Sequence, residues 1–193
     1  MTNPVPKETK ARLRKQFRSA LGAVSPTTYR ARSALLCQIL ADWLGALDVR
    51  NIGLFSPLRT EVDLTGLHDL LPVARLYYPR IHGSELRFHR VGARAELAPG
   101  PFGIREPVPA LHPCAPSASL EVFLCPGLAF SATGIRLGRG GGYYDRALSG
   151  AGPEALLVGV GLEIQTCDAL PWERHDITMT HLATEAGIRP CSP

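Results

Sequence analysis

No run of apolar residues in this chain approaches the length a membrane-crossing helix needs. The opening Met-Thr-Asn-Pro-Val-Pro-Lys has no apolar core of the kind a secretory leader carries. A soluble chain with no membrane partner is therefore expected. Cysteine pairing is missing too. Cys37, Cys114, Cys125, Cys167 and Cys191 are odd in number and include no C-x-x-C pair, which points to reduced thiols in a cytoplasm. His68, His82, His89, His112, His175 and His181 form no H-E-x-x-H and no Cys/His cluster with zinc spacing. There is no G-x-S-x-G elbow for a serine nucleophile, no Gly-Lys-[Ser/Thr] for a Walker A loop, and no internal repeat. Large charge imbalance is absent as well. The net charge is +4, with a pI near 8.9. That suffices to favour an anionic small molecule, but it does not call for nucleic acid.

What remains is an ordinary globular composition, 45% hydrophobic and 20% charged, over 193 residues. That length supports one well-buried core and is short for two, so a single domain over 1–193 is expected. Lys7 to Leu21 places Leu13, Phe17, Ala20 and Leu21 at helical spacing, with Lys10, Arg14 and Arg18 on a neighbouring face. Ser25-Pro26 opens a second helix carrying Leu35, Leu36, Ile39, Leu40, Trp43 and Leu44. Strands are predicted at Ile52–Phe55, Ala74–Pro79, Glu85–Val91, Leu120–Cys125, Ala155–Leu162 and His181–Thr184, with short helices ending at Leu71 and Leu148. The proline-rich Ala98–Ser119 reads as a long connection lying over the surface, with Gly103-Ile104-Arg105-Glu106-Pro107 pinned inside it. Strands alternating with helices predict a three-layer, Rossmann-like α/β fold, its sheet mostly parallel or mixed and covered by helices on both faces. Ligands in such sheets sit beyond the carboxyl ends of the strands. Loops carrying Glu61, the glycine run and Glu163 should converge there.

Arg136 to Arg146, Arg-Leu-Gly-Arg-Gly-Gly-Gly-Tyr-Tyr-Asp-Arg, concentrates the chemistry. Gly138, Gly140, Gly141 and Gly142 lack a Cβ, so successive N–H groups can point at one centre and a phosphate can reach the main chain. Asp145 supplies a hard oxygen ligand of the kind Mg²⁺ takes beside phosphates. The bland alternative is a flexible turn between strand and helix. Gly138-x-Gly140 is followed three places on by Tyr143, which excludes the dinucleotide fingerprint. Lys10 and Arg14, one helical turn apart, can clamp phosphate oxygens or form a solvated basic face. Tyr143 and Tyr144 can stack on a ring or wedge the loop against the core, and one of them is expected in the core.

The run resembles the signature of the 5-formyltetrahydrofolate cyclo-ligases, also called 5,10-methenyltetrahydrofolate synthetases. The resemblance includes Pro126-Gly127-Leu128-Ala129-Phe130, Lys10-x-x-x-Arg14, Glu61-Val-Asp63, Phe102 to Pro107, Leu170-Pro171, His175-Asp176 and Thr184-Glu185, and so spans nearly the whole chain. Ser131, where the family commonly has Asp, and Arg139, where an aromatic or small residue is frequent, depart from the pattern. The resemblance implies a cytoplasmic, monomeric ligase of one-carbon metabolism. It would use ATP and Mg²⁺ to close 5-formyltetrahydrofolate into 5,10-methenyltetrahydrofolate, with ADP and phosphate released. It assigns ATP contacts to Lys10, Arg14, Arg136, Gly138, Arg139, Gly140, Gly141, Gly142, Tyr143 and Tyr144. Arg136, Tyr143 and Tyr144 would stand beside the reacting atoms. Folate contacts fall to Glu61, Phe55, Ser56, Tyr143 and Tyr144, with Asp63 in reserve for Glu61, and the metal positions to Asp145 and Asp176. Lys10→Ala and Arg14→Ala are expected to weaken nucleotide binding with stability hardly changed.

Arg80, His82, Arg87, His89, Arg90 and Arg94 offer a surface for a polyglutamate tail, or simply exposed strand cations. Two other functions fit parts of the pattern. A phosphosugar isomerase or acyl-carrier transferase would use the glycine loop for a substrate phosphate; Lys10, Arg14 and Asp145 speak against it. A small nucleic-acid-binding protein would use the basic first helix, but no recognised motif accompanies it.

Overall fold

A computed structural model describes residues 7–192, with no side-chain description for residues 7, 8 and 102. The leader reading at residues 1–6 falls outside the described residues.

Two helices lead, α1 (Lys7–Gly22) and α2 (Pro26–Ala46). Ser25 starts α2 from extended backbone, and its Oγ accepts the Thr28 N–H at 3.1 Å, satisfying one of the helix's first donors. The inward face of α2 is Tyr29, Ser33, Leu36, Cys37, Leu40, Ala41 and Leu44, while Leu35 is half exposed. Next come β1 (Asn51–Gly53), the short α3 (Leu67–Leu70), β2 (Arg75–His82) and β3 (Glu85–Arg90). The β2–β3 turn has Gly83 at φ 62° in the first of its two loop positions, where a side chain would be strained. β4 (Ala98–Pro99), β5 (Arg105–Glu106) and β6 (Cys114–Ala115) follow, then β7 (Val122–Pro126), β8 (Ala129–Ser131) and β9 (Arg136–Leu137). The chain finishes with α4 (Tyr143–Leu148), β10 (Leu156–Val160), β11 (Thr166–Cys167), β12 (His181–Thr184) and β13 (Gly187–Pro190).

The main sheet runs β13-β12-β10-β7-β1-β2-β3-β6. Its five central strands, β12 to β2 in that order, are parallel, and antiparallel neighbours close both edges. Alternation along β7 shows the layering: Val122 and Leu124 pack on the face covered by α2, Phe123 and Cys125 on the face covered by α4. The three-layer mixed α/β fold is as predicted. The chain winds from β1 to β2 on one side and from β7 to β10 on the other, so strand order reverses between β1 and β7. A crevice opens at the carboxyl ends of strands at such a reversal.

The proline-rich connection departs from the prediction in part, since pinning was expected only for Gly103 to Pro107. It is not merely a surface loop: β4 pairs with β5, β6 joins the sheet edge, and Glu106 and His112 are buried. Glu106 accepts the Ile81 N–H at 3.2 Å and pairs with Arg80 at 3.4 Å. His112 Nδ1 accepts the Val108 N–H at 2.9 Å and its Nε2 lies 3.1 Å from Glu96. Polar groups with distant partners drew this segment inward, and no periodicity encodes them.

Candidate active site

At the β1/β7 reversal lies a cavity of about 810 Å³, within the range that encloses a drug-sized ligand. Phe55 and Ser56 line it after β1, Pro126 and Gly127 at the end of β7. One wall is apolar and comes from the β2–β3 hairpin and the proline-rich connection: Pro79, Ile81, Leu86 and Ile104. The opposite wall is the glycine loop, Gly138 to Gly142, between β9 and α4.

The loop takes backbone angles that favour glycine, with φ of 108° at Gly140 and 64° at Gly142, which caps α4. Helix α1 holds it from outside. Arg14 Nε donates to the Gly138 carbonyl at 3.0 Å and Arg18 donates to the Arg139 carbonyl at 3.4 Å. Arg14 thus lines the cavity, and part of its guanidinium supports the loop.

Among the described residues four cations face the cavity, three of them against carboxylates. Lys10 is buried, with Nζ 2.6 Å from Asp176 and 3.3 Å from Glu173. Asp176 Oδ2 also accepts the Glu173 N–H at 2.7 Å. Arg136, buried under the loop, donates to Asp145 Oδ1 at 2.8 Å and lies 5.4 Å over the Tyr144 ring. Its Nε and the Tyr144 hydroxyl are buried without partners. Burial pushes the Tyr144 phenol well above its ordinary range, so the ring stays neutral. Arg139 reaches across the mouth to Glu61 at 3.0 Å and to Thr60 Oγ1 at 3.3 Å.

All the predicted contact residues therefore line one cavity: Lys10, Arg14, Phe55, Ser56, Glu61, Arg136, Gly138 to Asp145, and Asp176. Glu61 and Asp63 differ in direction. Glu61 faces the cavity, its Oε2 fixed by the Leu58 N–H at 2.9 Å. Asp63 turns away to accept from the Thr65 N–H at 3.0 Å and to meet Arg94. Of the tyrosines, Tyr144 packs into both hydrophobic clusters, while Tyr143 lies under Arg146 at 5.2 Å.

Two expectations are corrected. Glu163 does not converge on the cavity; it is held by Thr184 at 2.5 Å and Arg189 at 3.3 Å. The basic hairpin is not one free surface either, since His89 is buried against the His112 carbonyl and Arg80 and Arg94 meet Glu106 and Asp63. Sequence reasoning missed Glu106, Glu173 and the hairpin wall. Glu106 lay in a quoted block but without a role, and Glu173 stands two places before His175. No local pattern singled out Ile81 or Leu86.

Glu173, His175 and Asp176 offer ligand atoms within 4.8 Å of one another. With Asp145 nearby in the same cavity, the donors are mostly hard carboxylate oxygens, a set that suits Mg²⁺.

Known proteins resemble this chain in sequence and fold. The family model for 5-formyltetrahydrofolate cyclo-ligases matches residues 6–185. A 5-formyltetrahydrofolate cyclo-ligase of Mycolicibacterium smegmatis is 34% identical over 163 residues, covering 76% of this chain and 80% of that one. Its counterpart in Saccharomyces cerevisiae is 28% identical over 198 residues, covering 89% and 92%. The NMR structure of Aquifex aeolicus 5,10-methenyltetrahydrofolate synthetase superposes with a TM-score of 0.84 at 32% identity, over 95% of this chain and 93% of that one. With its sequence and its fold agreeing, the chain belongs to the 5-formyltetrahydrofolate cyclo-ligase family and is a ligase.

Proposed function

We propose that the chain works as one cytoplasmic, monomeric domain that closes 5-formyltetrahydrofolate into 5,10-methenyltetrahydrofolate, consuming ATP with Mg²⁺ and releasing ADP and phosphate. The observation that carries this reading is the pairing of opposite chemistries in one cavity: a glycine loop ringed by Lys10, Arg14, Arg136 and Arg139 faces the Glu61 carboxylate and an apolar wall. The first suits a polyphosphate. The second suits a pterin, whose amino and ring N–H groups donate to a carboxylate and whose ring needs apolar cover.

An amide oxygen is a very poor leaving group. In the proposed reaction the formyl oxygen attacks the γ-phosphorus of ATP, ADP departs, N10 attacks the formyl carbon, and phosphate and the N10 proton are lost as the ring closes. The side chains act by placement and charge. Loop N–H groups with Lys10, Arg14, Arg136 and Arg139 receive the phosphates. Tyr143 and Tyr144, with Phe55 and Ser56, bound the folate, and Glu61 fixes its pterin. Asp145 and Asp176 would hold Mg²⁺, which when bound neutralises phosphate charge. No covalent intermediate on the protein is invoked.

The thiols and helices accord with a reducing, aqueous compartment. Among the described residues all five cysteines are free, and no helix is long and apolar enough to cross a membrane. The test is direct: purified protein with Mg-ATP and 5-formyltetrahydrofolate should yield a near-UV-absorbing product, one ADP per turnover. Product formed without nucleotide, or with a non-hydrolysable analogue, would refute the mechanism.

A further inference from the structure

Three carboxylate–cation pairs line the cavity, and they are not equivalent. Lys10–Asp176 and Arg136–Asp145 both lie on the side of the cavity given to phosphate and metal, and both are largely buried. Arg139–Glu61 is different because it joins the two halves. Arg139 belongs to the glycine loop, Glu61 to the loop after β1, and 78 residues separate them.

The guanidinium of Arg139 is committed to that far loop. Its Nε donates to Glu61 Oε1 at 3.0 Å and one terminal nitrogen donates to Thr60 Oγ1 at 3.3 Å. Glu61 is 8% exposed at its side chain and Arg139 34%, so the carboxylate is fixed and the arginine is the partner free to swing. Neither backbone depends on the contact. Glu61 keeps the Leu58 N–H, and the carbonyls of Gly138 and Arg139 keep Arg14 and Arg18.

Each ligand competes for one end of this pair. A polyphosphate in the glycine loop accepts the forked hydrogen bonds that Arg139 now divides between Glu61 and Thr60. A pterin donates to the same carboxylate that Arg139 now occupies. We infer that Arg139–Glu61 is a latch shared by both sites, opened by whichever ligand arrives first, so that nucleotide and folate each strengthen the binding of the other. The inference rests on the nucleotide and folate assignment proposed above. It makes Arg139 a positioning residue that links the two sites. A ligand arriving second meets its site already free, and the coupling is the same in either order.

The test is a pair of titrations on wild type, Arg139→Gln and Arg139→Lys, using 5-formyltetrahydrofolate and the Mg complex of a non-hydrolysable β,γ-imido ATP analogue. In wild type the analogue should lower the folate Kd roughly three- to tenfold, as expected for a partly exposed ion pair shared between two sites, and folate should lower the analogue's Kd by the same factor. In Arg139→Gln the factor should fall to about one, and folate alone should bind more tightly than to wild type, because Glu61 is already open. Arg139→Lys keeps the charge without the fork; it should restore part of the coupling, and that part should shrink with added salt. Equal coupling in wild type and Arg139→Gln overturns the latch. So does wild type that binds both ligands without coupling. Wild type that binds neither ligand rejects the assignment of the cavity itself, and the latch with it.

Discussion

Replacing Lys10 by Met removes one charge at nearly constant length, and the structure makes the cost calculable. Lys10 Nζ lies 2.6 Å from Asp176 Oδ2 and 3.3 Å from Glu173 Oε2, with side-chain exposures of 9%, 14% and 29% for the three groups. A hydrogen bond to a charged partner contributes about 1.5–3 kcal/mol. Breaking a fully buried pair from one side costs about 3–5 kcal/mol. The two acids here keep some solvent and Asp176 keeps the Glu173 N–H, so about 2–3 kcal/mol is the reasoned loss. For a chain of this size that lowers Tm by about 4–12 °C. This replaces the sequence-based expectation that removing Lys10 would weaken nucleotide binding with stability hardly changed, since Lys10 is buried against two acids. Nucleotide affinity should also fall about tenfold or more. Urea denaturation and calorimetric titration with Mg-ATP measure the two effects separately. Stability within about 0.5 kcal/mol of wild type would show that the Lys10–Asp176 contact does not form in solution, and unchanged nucleotide affinity would remove α1 from the active site.

Asp145→Asn should nearly abolish turnover while the protein stays folded, and activity within a few-fold of wild type at saturating Mg²⁺ would leave Asp145 as no more than the partner of Arg136. Gly141→Ala would place a Cβ 2.9 Å from the Tyr143 ring; it should weaken nucleotide more than folate, and equal losses measured by titration would favour a purely structural turn. Gly134→Ala should destabilise by about 3 kcal/mol or more, since φ is 83° and the new Cβ would run into the Met179 carbonyl; a melting temperature like wild type's would contradict this. Burial pushes the Cys37 thiol up to about 11 and Cys125 up to about 12, whereas Cys114 is exposed. Alkylation of native protein near pH 8 should therefore reach Cys114 first and spare the other two, and mass spectrometry showing Cys125 modified as fast would refute the buried assignment.

Local chemistry was legible in the sequence wherever the chain itself carried it. Ser25-Pro26 marks the α2 start because capping is decided within four residues, and His181–Thr184 is β12 to the residue because a short apolar run there has hard polar ends. The glycine loop announced itself by torsional freedom. What failed was partner choice. That Asp145 would face Arg136, that Glu163 would turn to Arg189, and that Glu106 would be drawn under Arg80 all depend on strand order, and strand order is decided by packing across the sheet. The hairpin wall was hidden for a further reason. In Arg80-Ile81-His82 and Leu86-Arg87 the apolar residues alternate with cations, a pattern that fits exposed strand as well as cavity lining.

The contact between Lys10 and Asp176 spans 166 residues, and Arg14 meets the Gly138 carbonyl across 124. Helix α1 is thus a component of a pocket whose opposing acid is made 166 residues later. At roughly 5–20 residues per second, α1 waits on the order of ten to thirty seconds for its partners. Throughout that interval the apolar face of α1 can already pack with Tyr29 and Leu36 of α2, but Lys10 lacks its acids, so newborn chains pass through a stage when the core is begun and the ligand pocket is not.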